Sequence, residues 1–185
     1  MVKKIVIFAS GKGSNALNLI EQFKENKQIA ITKIVSNNAQ AGVVNIAKQN
    51  NIQVEIISKN DLQHLAHQWQ NETIDLIVLA GFLWQIPENL IHLFHHKIIN
   101  IHPSLLPKYG GNGMYGNYVH QAVLQNHEAE SGITIHQVSA EYDKGEIICQ
   151  ATCPIDSHET TATLSDKIRK LEHKHLPIVI KKILE

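Results

Sequence analysis

Asn100 and His102 stand two residues apart at the end of an apolar run, Ile98-Ile99-Asn100-Ile101-His102. In an extended strand a period of two sends both side chains to one face. Pro103 has no N–H for a ladder and disfavours the α region at His102, and Pro107 restrains the chain beyond it in the same way. An amide and an imidazole therefore project together from a strand end into a restrained loop, where open parallel sheets place their ligand sites. Both groups can donate hydrogen bonds to an oxygen on which negative charge develops. The plainer alternative is a buried Asn and a satisfied core histidine beside a turn.

Two further clusters fall after strand-like runs. Lys4–Ala9 is apolar on both faces, and Ser10-Gly11-Lys12-Gly13-Ser14-Asn15 follows it as a tight loop before a helix. Glycines let backbone N–H groups approach an anion, and a helix N-terminus adds positive potential. Lys12 could reach a phosphate or lie in water. The loop has neither the Walker nor the dinucleotide spacing, so it suits a small phosphate-bearing ligand, not ATP or NAD. After Ile74–Leu79 come Ala80-Gly81-Phe82, and Phe82, Leu83 and Trp84 could line an aromatic pocket or cap the core. His136 could face the ligand from a later strand, whereas Asp143, in Glu141–Gly145, reads as a turn residue. His64 and His67 share a helix face without a third metal ligand. His120 and His127 read as scaffold, and Cys149 and Cys153 as packing thiols.

The elements that must position these groups alternate. Strands are expected at Lys4–Ala9, Ile29–Ser36, Gln53–Ile57, Ile74–Leu79 and Ile98–Ile101. Helices separate them at Ala16–Lys24, with Leu17, Ile20 and Phe23 inward; Ala41–Gln49, with Val44 and Ala47 or Lys48; Leu62–Glu72; and Pro87–Phe94. This predicts an α/β fold: a Rossmann-like, mostly parallel twisted sheet with helices on both faces. The glycine-rich stretch Gly110–Gly116 must be a loop. A helix over Asn117–Asn126 precedes an antiparallel C-terminal pair, Ile133–Val138 and Glu146–Ala151. A final helix, Thr160–Lys174, is expected to break at Pro177, leaving Ile178–Ile183 as a separate apolar turn.

The 185 residues make one domain, 1–185, with an N-terminal half to about 101 and a C-terminal half from about 102. Seventeen basic residues balance seventeen acidic ones, leaving no positive field for a nucleic-acid backbone. No apolar run approaches the roughly 20 residues of a membrane span. Met1–Phe8 begins like an export signal, but the glycine loop interrupts it. A cytoplasmic enzyme or binding protein without a disulfide framework is expected.

The motifs Gly11-Lys12-Gly13-Ser14-Asn15, Leu79-Ala80-Gly81-Phe82, Asn100-Ile101-His102-Pro103-Ser104-Leu105-Leu106-Pro107-Lys108-Tyr109 and Tyr142-Asp143-Lys144-Gly145 together resemble the folate-dependent phosphoribosylglycinamide formyltransferases. The match spans essentially the whole chain in order. The resemblance implies the formyltransferase fold and transfer of a formyl group from 10-formyltetrahydrofolate to phosphoribosylglycinamide in purine biosynthesis. It implies Asn100, His102 and Asp143 as the catalytic residues. Gly11, Lys12, Gly13, Ser14 and Asn15 would hold the phosphate, and Glu172 the ribose. Phe82, Leu83, Trp84, Gln85 and Ile86 would surround the pterin with Tyr142, Asp143 and nearby His136. The N-terminal half would bind the nucleotide and the C-terminal half the folate. No metal, nucleic acid or membrane is implied, and a monomer or homodimer is expected.

The chain departs from the family pattern at Trp84-Gln85, where an Arg-Ile pair is familiar, and at Gly110-Gly111, in place of Pro-Gly. It also stops soon after the last helix, so tail contacts are expected to be absent. Formyl transfer to methionyl-tRNA would call for an additional basic domain, and transfer to a sugar-nucleotide amine is not known with this phosphate loop. A non-catalytic ligand-binding protein is the remaining rival, disfavoured by retention of all three reactive groups. In the chemistry implied, protonated His102 and the Asn100 amide donate to the formyl oxygen, and Asp143 supports the imidazolium and helps move the amine proton.

Overall fold

Alternate residues of the first strand, β1 (Lys3–Phe8), enter two different apolar cores: Ile5 and Ile7 pack in one, Val6 and Phe8 in the other. That two-sided burial explains the unbroken apolar run, and it makes β1 a central strand. The computed structural model describes Met1–Glu185. Four more parallel strands join the same sheet: β2 (Ile29–Ser36), β3 (Gln53–Ile56), β4 (Leu76–Leu79) and β5 (Ile98–His102). β6 (Glu130–Gln137) and β7 (Ile147–Pro154) then add antiparallel, giving the order β3-β2-β1-β4-β5-β6-β7. The mostly parallel sheet with an antiparallel C-terminal pair is the expected α/β architecture.

Helices α1 (Ser14–Phe23), α2 (Gly42–Gln49), α5 (Asn117–Gln125) and α6 (Thr161–Leu184) cover the larger core, while α3 (Lys59–Trp69) and α4 (Glu88–Leu93) cover the smaller. The inward face of α1 is Ala16, Leu19, Ile20 and Phe23; Leu17, expected inside, is 38% exposed. The i, i+3, i+4, i+7 stripe starts at Ala16, which shifts Leu17 off the core face. On α2 the buried set is Val43, Val44 and Ala47, with Lys48 in solvent. α3 begins earlier than its apolar residues suggest, because Ser58 and Asp61 form a capping box.

The largest correction is α6. Pro177 does not break it, and Ile178–Ile183 belongs to the same helix. A mid-helix proline strands the carbonyl four residues earlier. Here that carbonyl, on His173, accepts a hydrogen bond from Asn18 Nδ2 of α1 at 2.9 Å. The helix continues because a neighbouring side chain supplies the donor that Pro177 lacks. No helix is long and apolar enough to cross a membrane.

Register sets up the site. Phe8 pairs with Leu79 and Leu79 with Asn100, so the C-terminal ends of β1, β4 and β5 lie at one level of the sheet. Antiparallel pairing then puts His136 of β6 opposite Asn100. The β6–β7 connection returns over that same end, carrying Asp143. Its close approach needs Gly145, where a Cβ would lie 1.7 Å from the Gln137 carbonyl oxygen.

Candidate active site

A cleft of about 540 Å³ opens over the C-terminal ends of β1, β4 and β5. Every site residue expected from the sequence lines it: Gly11 to Asn15, Phe82 to Ile86, Asn100, His102, His136, Tyr142, Asp143 and Glu172.

Asp143 stands at the centre, in a left-handed conformation (φ 55°) that Asp tolerates better than most residues. Its side chain is 11% exposed. Oδ2 accepts the Gly111 backbone N–H at 2.8 Å and lies 3.5 Å from His102 Nδ1. Oδ1 lies 3.4 Å from Asn100 Nδ2 and 3.6 Å from His136 Nε2. Burial pushes the Asp143 pKa up, but the two imidazoles and the Gly111 N–H outweigh it and hold the carboxyl below the usual range. The residue is an ionised group amid hydrogen-bond donors, not an ordinary turn aspartate.

His102 is buried, and each ring nitrogen faces an oxygen acceptor. Nε2 donates to the Tyr109 carbonyl at 2.8 Å, leaving Nδ1 toward Asp143. Burial drives its pKa below the usual histidine value, although Asp143 and the Tyr109 carbonyl pull upward. In the free protein near pH 7 the ring is mostly neutral, so the support from Asp143 expected from the sequence is present but outweighed. Asn100 Nδ2 donates to His136 Nε2 at 3.1 Å, and His136 Nδ1 donates to the Gln137 carbonyl at 2.7 Å. The Asn100 amide, expected to donate to the formyl oxygen, is in this structure engaged by its strand neighbour and Asp143.

At the other end of the cleft, α1 begins without a cap. Gly13 takes the N-cap position with φ 80°, no side chain caps the helix, and its first turn holds no acidic residue. The first helical N–H groups, which have no partner within the helix, therefore face a glycine loop at a positive dipole end. Asn15 Nδ2 donates to Glu172 Oε2 at 3.0 Å, while Asn15 Oδ1 is buried without a partner. Burial raises the Glu172 pKa to about 7, against the pull of Asn15 and Arg169.

Several lining residues escape a reading of the sequence. Arg169, the chain's single arginine, stands one turn before Glu172 and lines the cleft. Its spacing three residues from Glu172 on one helix is the signal that could have found it. His120, expected to be scaffold, is buried with Nδ1 unpartnered and also borders the cleft. The glycine loop from Gly111 to Gly116 forms one wall, a placement that composition alone does not reveal. Trp84 packs edge-on against Phe82, and the Gln85 side chain donates to the Ala140 carbonyl, tying two walls together. His64 and His67 lie exposed on α3, and no cluster of three His, Cys, Asp or Glu is positioned to hold a metal.

A family model described as formyl transferase matches residues 3–180. The chain is 35% identical over 191 residues to the phosphoribosylglycinamide formyltransferase of Bacillus subtilis, covering 99% of this chain and 95% of that protein. It is also 35% identical to the chloroplastic phosphoribosylglycinamide formyltransferase of Vigna unguiculata, covering 99% of this chain but only 61% of the plant protein's length. The crystal structure of phosphoribosylglycinamide formyltransferase from Anaplasma phagocytophilum superposes with a TM-score of 0.88 at 33% identity, covering 98% of this chain and 86% of that one.

Proposed function

Because the chain belongs to the formyl transferase family, in its phosphoribosylglycinamide formyltransferase branch, we propose that it transfers the formyl group of 10-formyltetrahydrofolate to the amine of phosphoribosylglycinamide. The observation that carries this reading is the placement of Asn100, His102 and Asp143 in the same cleft as an uncapped, glycine-framed helix N-terminus. One end supplies donors and a carboxylate for acyl transfer. The other supplies backbone N–H groups, Lys12 and Arg169 for a phosphate, with Glu172 beside them for a ribose hydroxyl.

The reaction needs donors where charge develops. As the amine attacks the formyl carbon, electrons move onto the formyl oxygen, and the Asn100 amide and His102 Nδ1, once protonated, are the side-chain donors beside Asp143 for that charge. Burial keeps His102 mostly neutral beforehand. The imidazolium that donates from Nδ1 takes its second proton from solvent before attack, and Asp143 together with the anion forming beside the ring stabilises it as the barrier is crossed. Removing one such preorganised donor costs about 3 kcal/mol. Asp143 is held ionised, so it can take the proton released by the attacking amine and pass it to the leaving nitrogen. The C–N bond then breaks with proton and charge balanced. The folate is a substrate consumed in each turnover.

Phe82 to Ile86 and the loop around Tyr142 are assigned to the pterin. Both segments line the cleft and are tied together by the Gln85 hydrogen bond to the Ala140 carbonyl. The ribonucleotide end of the cleft draws on both halves of the chain, since Asn15 and Glu172 meet across 157 residues. Purified protein incubated with both substrates should release tetrahydrofolate and formylated ribonucleotide stoichiometrically. Formylation of methionyl-tRNA or an amino-sugar nucleotide instead, or of no amine, would overturn the assignment.

A further inference from the structure

We propose that Glu128 is a positioning residue for His102, acting through Tyr109. The assignment of His102 to formyl transfer rests on the function proposed above, but the geometry of the relay does not. Tyr109 adopts φ 56°, a left-handed backbone that non-glycine residues rarely take. In that conformation its carbonyl receives His102 Nε2–H at 2.8 Å. Strain of this kind persists only where surrounding contacts over-determine it.

Those contacts converge on Glu128. The Tyr109 hydroxyl donates to Glu128 Oε1 at 2.8 Å, and Lys108 Nζ donates to the same carboxylate at 2.9 and 3.1 Å. Ser104, fully buried, donates to the Lys108 carbonyl at 2.8 Å, steadying the peptide that leads into Tyr109. Glu128 is itself fixed by the end of α5. His127 takes φ 50°, its N–H reaches the Leu124 carbonyl, and the Glu128 N–H reaches that of Val123. That is the bond pattern of a Schellman motif, so the helix terminus sets where the carboxylate stands.

The consequence lies at the ring. A carbonyl at Nε2 selects the Nε2–H tautomer and also supports the imidazolium, leaving Nδ1 as the nitrogen toward Asp143. Three other titratable groups influence or face His102: Asp143 from the β6–β7 connection, His136 from β6 and His120 from α5. Only the Tyr109 carbonyl distinguishes the two ring nitrogens on the side away from Asp143. If the Tyr109 ring is released, the backbone can leave the left-handed region and the carbonyl turns away. His102 then loses both its tautomer selection and part of its support for charge.

The test reads the ring directly in full-length protein labelled with 15N-histidine, the His102 resonances being identified by their loss in His102→Gln. Glu128→Ala and Tyr109→Phe should each mix the two tautomers and lower the His102 pKa. The kcat for formyl transfer should fall about tenfold with both KM values little changed. Glu128→Gln keeps an acceptor for the phenol and should restore most of the wild-type spectrum. If Glu128→Ala fails to fold, Tyr109→Phe, which removes a single oxygen, decides the matter. Unchanged ring shifts and titration in a folded variant would overturn the proposal, whether or not the wild-type protein transfers formyl groups. Absence of formyl transfer by the wild type would instead overturn the functional reading while leaving the relay to be judged by NMR.

Discussion

His102 Nδ1 lies 3.5 Å from Asp143 Oδ2, while the other ring nitrogen is held by the Tyr109 carbonyl at 2.8 Å. The ring can satisfy both acceptors only when it carries two protons, yet burial disfavours that state. The pair is therefore poised: charge on the imidazole is disfavoured at rest and stabilised when a second anion forms beside it.

Asp143→Asn removes the carboxylate that pulls the His102 pKa upward, leaving burial less opposed. The His102 titration should shift to lower pH. Turnover at neutral pH should fall by about 100-fold or more, and any residual activity should move toward acid. An NMR titration of His102 in both proteins, run beside pH–rate profiles, checks this. An unchanged His102 titration would show that Asp143 does not support the ring.

Gly11 and Gly13 should behave differently although they share a loop. A Cβ at Gly13 would lie 2.7 Å from Val43 Cβ, on a backbone with φ +80°, whereas one at Gly11 meets nothing within 4 Å. A side chain at Gly13 therefore does not intrude on the anion alone, because its Cβ runs into α2. Gly13→Ala should lose about 1–3 kcal/mol of stability in denaturant unfolding. Gly11→Ala should unfold like wild type and raise the KM for the ribonucleotide, not for the folate. The reverse KM pattern would mean that the two ends of the cleft are assigned the wrong way round.

The difference between those glycines marks what a sequence can carry. Periodicity locates every strand, and the Asn100–His102 spacing by itself places two side chains on one face. Pairing across the chain is not legible. Asn100 meets His136 because β6 runs antiparallel in a particular register, and no local pattern encodes that partner. Pro177 shows the same limit: the rule that proline ends a helix fails because Asn18, from α1, supplies the missing hydrogen bond. Asp143 looks like a turn residue from its neighbours alone, and only family resemblance singles it out. Its electrostatic setting arises when Gly111, His102 and His136 fold around it.

Glu172 links the substrate end of the cleft to pH. Burial raises its pKa from 4.5 to about 7 in the folded protein. A raised acid contributes stability that is fully present below its unfolded pKa and lost as pH rises through the folded value. Wild type should therefore lose stability between about pH 4.5 and 7 relative to Glu172→Gln, which stays neutral and keeps an acceptor for Asn15. The difference should be on the order of 1–2 kcal/mol, since the side chain is not fully enclosed. Parallel stability profiles for the two proteins from pH 4 to 8 would show that Glu172 ionises as an ordinary surface carboxylate, contrary to its burial.

The most direct measurement is the kcat of His102→Ala with saturating 10-formyltetrahydrofolate and phosphoribosylglycinamide, on protein shown to be folded. Loss of the imidazole should lower turnover by about 100-fold or more while both KM values stay within a few-fold of wild type, because the ring acts mainly as charge develops. A folded His102→Ala protein that turns over near the wild-type rate would contradict the role given to His102 and, with it, the proposed chemistry of the cleft.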